Sequence, residues 1–306
     1  ICLIDLKRDE HAIEFFKKAI FFKEDFYPAH SNLGITFRSL DKLEEAEVSF
    51  RNWVNLEPGN ASAYISLGVI LYARGDLEAA LNIFEKAYSI NPKLNESKLC
   101  LTLLKARREK LTQDINLDLP IKEKQNNKST ISLYTSNLPI KKDLISCLYK
   151  MQTRELDKKP KNDARFGNGF CSIDYQLFDN KNPIIKNVAD DLSLIIKKYF
   201  NSEIYIYDSF FNILGAGGGT TPHKHLVELD KDKYLNFSKQ KYSLVYYLDV
   251  GDQDCEEPGI LKLYNPSEDF LPYDGMIIIF PANRKHSAVY SGKKDRVMIG
   301  INFYTL

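Results

Sequence analysis

Along residues 1–110 the apolar side chains recur at helical spacing, and the pattern itself repeats. Residues 27–60 laid over 61–94 align Leu33 with Leu67, Gly34 with Gly68, Leu43 with Leu77, Ala46 with Ala80, Phe50 with Phe84 and Pro58 with Pro92. Ala12 and Phe16 fall in the same Ala and Phe columns, so the chain is expected to start inside a further copy. Each copy reads as two helices joined by a turn such as "ARGD" (73–76) and closed by a proline that cannot continue a helix. The segment 94–110 reads as a polar-faced capping helix.

The helical period then stops. "TQDINLDLPIKEKQNNKST" (112–130) is polar and reads as a linker over 111–130. Beyond it the pattern predicts a strand over 131–139 and two amphipathic helices, 143–156 and 183–200, the second with Ile185, Val188, Leu192, Ile195 and Ile196 on one stripe. After residue 203 short apolar or alternating runs take over, at 203–214, 242–250, 259–266, 275–281, 286–291 and 296–306, separated by Gly, Pro and charged turns. A β-sandwich or barrel with helices packed outside follows for residues 131–306.

Composition narrows the partners. A formal net charge of +1 supplies no field for nucleic acid or an anionic membrane surface, and neither is expected as a partner. No apolar run reaches the roughly 18 residues of a membrane span. Five dispersed cysteines without a CxxC pair read as reduced thiols, which points to a cytoplasmic protein; the chain opens at Ile1 rather than Met and reads as a fragment, so an upstream targeting segment stays open.

The 34-residue unit, with Leu-Gly early, then Ala, Phe and a closing Pro, resembles the tetratricopeptide repeat. "YISLGVILYARGDLEAALNIFEKAYSINP" (64–92) is a close match, while the preceding copy departs at His30 and at Trp53, where a small residue is usual. The resemblance implies an all-α solenoid whose concave face holds a protein or peptide, with Arg38 and Tyr72 facing that groove. The repeated residues themselves are packing residues and carry no chemistry.

Chemistry is concentrated in the β region. His223 and His225, in "GGGTTPHKHLVELD" (217–230), are expected on one strand face, because residues two apart point the same way. His286 follows "FPANRK" at a strand start, where a neighbouring strand brings it to the pair. An imidazole pair plus one distant imidazole suits a facial metal site, and both zinc and Fe(II) accept it. Arg296, heading "RVMIGINF", and Asn302 lie an even number of residues apart on one strand; a guanidinium there is able to hold a carboxylate by two parallel hydrogen bonds. Tyr247 and Asn212 are polar residues in apolar strands and weaker candidates for the same pocket.

"DGMIIIFPANRKHSAV" (274–289), with Arg296 ten residues beyond His286, resembles the Fe(II)/2-oxoglutarate-dependent oxygenases, and "YSLVYYLDV" and "EEPGILKLYNP" resemble that family's middle strands, with Gly259 at the turn. The resemblance implies a double-stranded β-helix of jelly-roll or cupin-like form, Fe(II) on His223, His225 and His286, 2-oxoglutarate gripped by Arg296 and O2 as oxidant. A helical array before such a domain is similar to the architecture of peptidyl hydroxylases, which implies hydroxylation of a C–H bond in a peptide, protein or small molecule. The departure is His-x-His where the family uses His-x-Asp or His-x-Glu; Glu228 or Asp230 are the acids nearby in sequence. The cupin pattern also fits, through Gly217, His223-x-His225, Gly275, Pro281 and His286, with Asp230, Asn283 and Tyr290 as departures. A three-histidine enzyme without 2-oxoglutarate and a non-catalytic binding protein are the alternatives.

Overall fold

The structure, a computed structural model, describes residues 9–115, 132–135, 142–159 and 163–306. The chain divides into two compact units: residues up to Ile121 together with Asp232–Asn236, and Lys122–Lys231 with Phe237–Leu306. None of the described helices is long and apolar enough to cross a membrane.

In the first unit six helices run in chain order: α1 (Asp9–Phe22), α2 (Tyr27–Ser39), α3 (Leu43–Leu56), α4 (Ala61–Ala73), α5 (Leu77–Ile90) and α6 (Asn95–Ile115). The pairs α2/α3 and α4/α5 are the two aligned repeats. Gly34 and Gly68 let the second helix of each pair approach closely: a Cβ on Gly68 would lie 2.8 Å from the Phe84 ring, and one on Gly34 2.6 Å from Phe50. Both rings are fully buried. The turn between the helices needs left-handed backbone at one column, filled by Gly75 (φ +89°) in one copy and Asp41 (φ 61°) in the other, an acid that tolerates that region. Asn60 caps α4 by accepting from the Ser62 N–H, and Asp76 caps α5 by accepting from Ala79. Trp53 stands in the Ala87 column and is itself buried against Phe50. The capping helix α6 continues to Ile115, five residues past the expected end, because nothing in "LTQDI" breaks a helix. The rest of the expected linker, 116–130, lies outside the described residues.

The second unit is built on two antiparallel sheets. Its strands are β1 (Ser132–Thr135), β2 (Thr153–Glu155), β3 (Arg165–Phe166), β4 (Gly169–Ser172), β5 (Ile204–Leu214), β6 (Gly218–His223), β7 (Lys241–Asp249), β8 (Leu261–Leu263), β9 (Glu268–Phe270), β10 (Met276–Pro281), β11 (His286–Tyr290) and β12 (Arg296–Thr305). The larger sheet has the order β1-β10-β7-β12-β5-β4-β2 and the smaller β3-β6-β11-β8-β9, the arrangement of a double-stranded β-helix with flanking helices. Of the strand expected over 131–139 only Ser132–Thr135 is described. The helix expected over 143–156 is α7 (Lys142–Lys150), and the chain turns into β2 after Met151.

Side-chain alternation gives the larger sheet two different faces. Leu244, Tyr246 and Leu248 of β7, Phe211 and Ile213 of β5, and Val297, Ile299, Ile301 and Phe303 of β12 point to one core. Helix α7 covers it with Leu144 and Leu148, and α8 (Pro183–Phe200) with Ile185, Val188, Leu192 and Ile196. The α8 stripe at helical spacing is therefore the face that the sheet buries; each such side chain contributes about 1.5–3 kcal/mol. The opposite residues, Val245, Tyr247, Met298, Gly300 and Asn302 among them, line a cavity.

The ring-against-glycine contact yields a sign test. Gly68→Val gains a little helix propensity but drives a branched side chain into Phe84, and the net result is a loss of about 2 kcal/mol. Gly59→Ala, where an added Cβ meets nothing within 4 Å, stays within about 0.5 kcal/mol, both changes being read by urea titration.

Candidate metal centre

Strands β6 and β11 pair antiparallel with His286 opposite His223. Strand β6 ends at His223, so His225 does not share its strand face as the spacing suggested. The backbone N–H of His225 instead donates to the Ala282 carbonyl, and the side chain reaches the other two from the following loop. One ligating atom from each of His223, His225 and His286 lies within 4.8 Å of the others, and His225 Nε2 is 3.2 Å from His286 Nε2.

Backbone carbonyls orient two of the rings. His223 Nδ1 lies 2.7 Å from the Thr221 carbonyl and His286 Nδ1 3.2 Å from that of Arg284. A proton on each Nδ1 leaves Nε2 with its lone pair toward the cluster, the tautomer a ligand needs. His225 Nδ1 faces the side-chain amide of Asn302 at 3.3 Å. Burial disfavours the charged imidazolium at all three: it lowers His223, pushes His286 down to about 3, and, with the neighbouring imidazoles adding to it, takes His225 well below the ordinary value. Three neutral imidazoles converge, and no carboxylate joins them among the described residues.

The two acids that follow the histidine pair in sequence, Asp230 and Glu228, are engaged elsewhere. Asp230 is buried and accepts from Lys241 Nζ at 2.8 Å, Tyr304 Oη at 2.7 Å and the Val227 N–H at 2.8 Å, which occupies both oxygens. Glu228 is exposed and pairs with Lys231 at 2.5 Å. Neither belongs to the cluster.

The histidines lie on a cavity of ≈ 450 Å³. Asn212, Tyr247 and Asn302 line it, as do Asp208, Phe210 and Arg165. Asn302 donates to Asp208 Oδ1 at 2.6 Å and accepts from Ser243 Oγ at 2.6 Å. Arg296 does not line the cavity. Its guanidinium, 1% exposed, lies 5.9 Å from the Tyr247 ring and 4.5 Å from that of Tyr290 and donates to the carbonyls of Val250, Pro258 and Gly259. Gly259 (φ +77°) makes room for it, since a Cβ there would sit 1.6 Å from Nη1. Among the described residues no carboxylate comes within salt-bridge distance of Arg296, and burial lowers its pKa. Burial also pushes the Tyr247 hydroxyl up to about 12, so it stays a neutral donor.

Arg165, Asp163, Tyr175 and Asp208 were not legible as site residues. β3 and β4 are too short to show a period, whereas Asp208 had a signal: a lone charge in "IYIYDSFFNIL" (204–214). Arg165 donates to Asp163 at 2.6 Å, to Tyr175 Oη at 2.5 Å and to Asn212 Oδ1 at 3.3 Å, with its guanidinium over the rings of Tyr175 and Phe210. In the first unit, Tyr72 Oη accepts from Arg107 at 2.8 Å, and the Arg38 guanidinium is 3.5 Å from Asp232.

Comparison with known proteins accounts for the helical part. Residues 61–94 match the tetratricopeptide repeat model. BBSome complex member BBS4 of Bos taurus is 29% identical over 99 residues, 32% of this chain and 19% of its own length, so the chain spans about a fifth of that relative. Among solved structures, an oxidoreductase of the 2OG-Fe(II) oxygenase family from Burkholderia pseudomallei superposes with a TM-score of 0.38 at 13% identity, over 52% of this chain and 76% of that one.

The Asp163–Arg165 pair sets an acid limit on the cavity wall. Burial works against ionisation of Asp163, but hydrogen bonds from the Arg165 side chain and backbone and from Arg154 outweigh it and hold the carboxyl down to about 2. A depressed carboxyl stabilises the fold above its unfolded value of about 3.9 and loses that contribution as pH falls through the folded one. Asp163→Asn therefore lowers stability at pH 7 by about 2–3 kcal/mol and flattens the decline between pH ~4 and ~2, as followed by urea titrations across that range.

Proposed function

We propose that the chain is an Fe(II)- and 2-oxoglutarate-dependent oxygenase that hydroxylates a C–H bond of a peptide, protein or small molecule. The observation that carries this reading is the convergence of three neutral imidazoles, two with their Nε2 lone pairs fixed by carbonyls, on one point of a cavity. That donor set fits a divalent first-row ion, with His223, His225 and His286 as the residues that would hold it. Iron, bound with 2-oxoglutarate and O2, supplies the oxidation of the C–H bond with release of succinate and carbon dioxide.

Specificity for 2-oxoglutarate is supported by Arg296. A buried guanidinium without a counter-charge is costly, and a dicarboxylate offers the charge it lacks. The Tyr247 hydroxyl, beside it and neutral, adds a donor, while Asn212 and Asn302 supply polar contacts along the wall. The apolar wall residues Phe210, Leu261 and Met298 keep water from the reacting C–H bond. The tetratricopeptide repeats would dock a protein partner, through a groove that includes Arg38 and Tyr72. One observation favours a rival: three carbonyls already receive hydrogen bonds from Arg296, which suits a cupin-type three-histidine enzyme that does not use 2-oxoglutarate.

Iron-loaded protein is expected to release succinate from 2-oxoglutarate, and His286→Ala to lose both metal and turnover. Arg296→Ala should raise the KM for 2-oxoglutarate at least about tenfold with metal content unchanged, and Gly259→Ala should do the same by displacing the guanidinium. Metal retained without any succinate release hands the site to the cupin-type reading; protein that binds no divalent ion rules out both.

A further inference from the structure

Strand β5 turns Asp208, Phe210, Asn212 and Leu214 to the cavity, and Asp208 is the only acid among them. It is partly buried and takes a hydrogen bond from Asn302, its partner in the strand register. The acids around it have cations: Asp163, the other acid on the cavity lining, holds Arg165 and Arg154, and Asp230, buried outside the lining, holds Lys241. Lys241 and Arg165 are also the cations that act on Asp208, and each is committed to another acid. Among the described residues no basic side chain lies within salt-bridge distance of Asp208. Burial pushes its carboxyl up to about 6 despite Asn302 and Lys241, the mark of a charge without a counter-charge.

From this we propose that Asp208 receives a cationic nitrogen of the substrate, an amine or guanidinium at the end of an aliphatic chain. The rest of the cavity suits such a molecule. Phe210, Val245, Leu261 and Met298 offer an apolar wall to the stem, and Arg165 is held back from competing by Asp163. Asn302 joins the acid to His225, so a cation on Asp208 lies one side chain from the histidines. Arg296 begins the same strand six residues earlier, roughly 20 Å along it. The anion-seeking and cation-seeking groups are thus at opposite ends of the paired strands β5 and β12. A substrate stem fixed at Asp208 passes the histidines, and that last step rests on the oxygenase reading; the cation site itself does not.

The test uses the metal-free protein of residues 1–306, with n-butylamine, n-butylguanidine, butyrate and n-butanol as probes in calorimetric and NMR titrations. Wild type is expected to bind the two cations at least about tenfold tighter than butyrate or butanol, Asp208→Asn to lose that preference, and Asp208→Glu to keep part of it. The melting midpoint of each variant without probe shows whether it is folded. No preference for the cations in wild type, or an undiminished preference in folded Asp208→Asn, overturns the proposal. So does a variant that binds the amines as before but loses Co(II) affinity by more than about tenfold, since Asp208 then serves the metal through Asn302. Cation binding that depends on Asp208 in a protein whose iron-loaded form leaves 2-oxoglutarate unchanged keeps this site and removes the oxygenase.

Discussion

The candidate site depends on one register, the antiparallel pairing that puts His286 of β11 opposite His223 of β6. Side chains alternate along a strand, so a slip of one residue would send His286 to the far face and separate the imidazoles. The register is held from both sides. β11 also pairs with β8, where Leu263 faces His286, and the Ala288 N–H is tied to Thr220 Oγ1. His225 needs a second anchor because it lies past the end of β6; its backbone bond to Ala282, just after β10, supplies one. The imidazole cluster is therefore assembled by three strands and a loop, with none of the three rings positioned by chance contact.

The same alternation explains what was legible in the sequence. Apolar residues at every second position of β7 and β12 already announced a strand buried on one side, and the α8 stripe announced its cover. The polar interruptions, Tyr247, Asn212 and Asn302, fall on the cavity face because they occupy the other parity. Repeats were legible for a different reason: a glycine facing a phenylalanine ring is a packing solution that each copy must reproduce, so it leaves a periodic mark. What stayed hidden had no period. β3 and β4 are two and four residues long, and the wall residue Arg165 lies in one of them. Loop conformation also has no period, so the spacing alone suggests a strand that His225 has already left. Proximity in sequence misled for Asp230, whose ion pair with Lys241 comes from β7 across the fold.

Charge places a further constraint on the cavity. The structural ions on and around it are paired, Asp163 with Arg165 and Arg154 and Asp230 with Lys241, and such pairs leave little demand for a ligand. Arg296 and Asp208 are different: each is withdrawn from water without an opposite side chain. The three imidazoles are neutral, so they do not offset the charge of a divalent ion in the way a coordinating carboxylate does. A divalent cation on them leaves the region positive, even with Asp208 ionised. With Asp208 ionised, a dianion near Arg296 offsets the divalent ion and the guanidinium together, whereas a monoanion leaves the region positive. A site of three neutral imidazoles, if it holds a divalent ion as proposed, thus shifts the burden of neutrality from the protein to its ligands, and metal and anion are then expected to strengthen each other's binding.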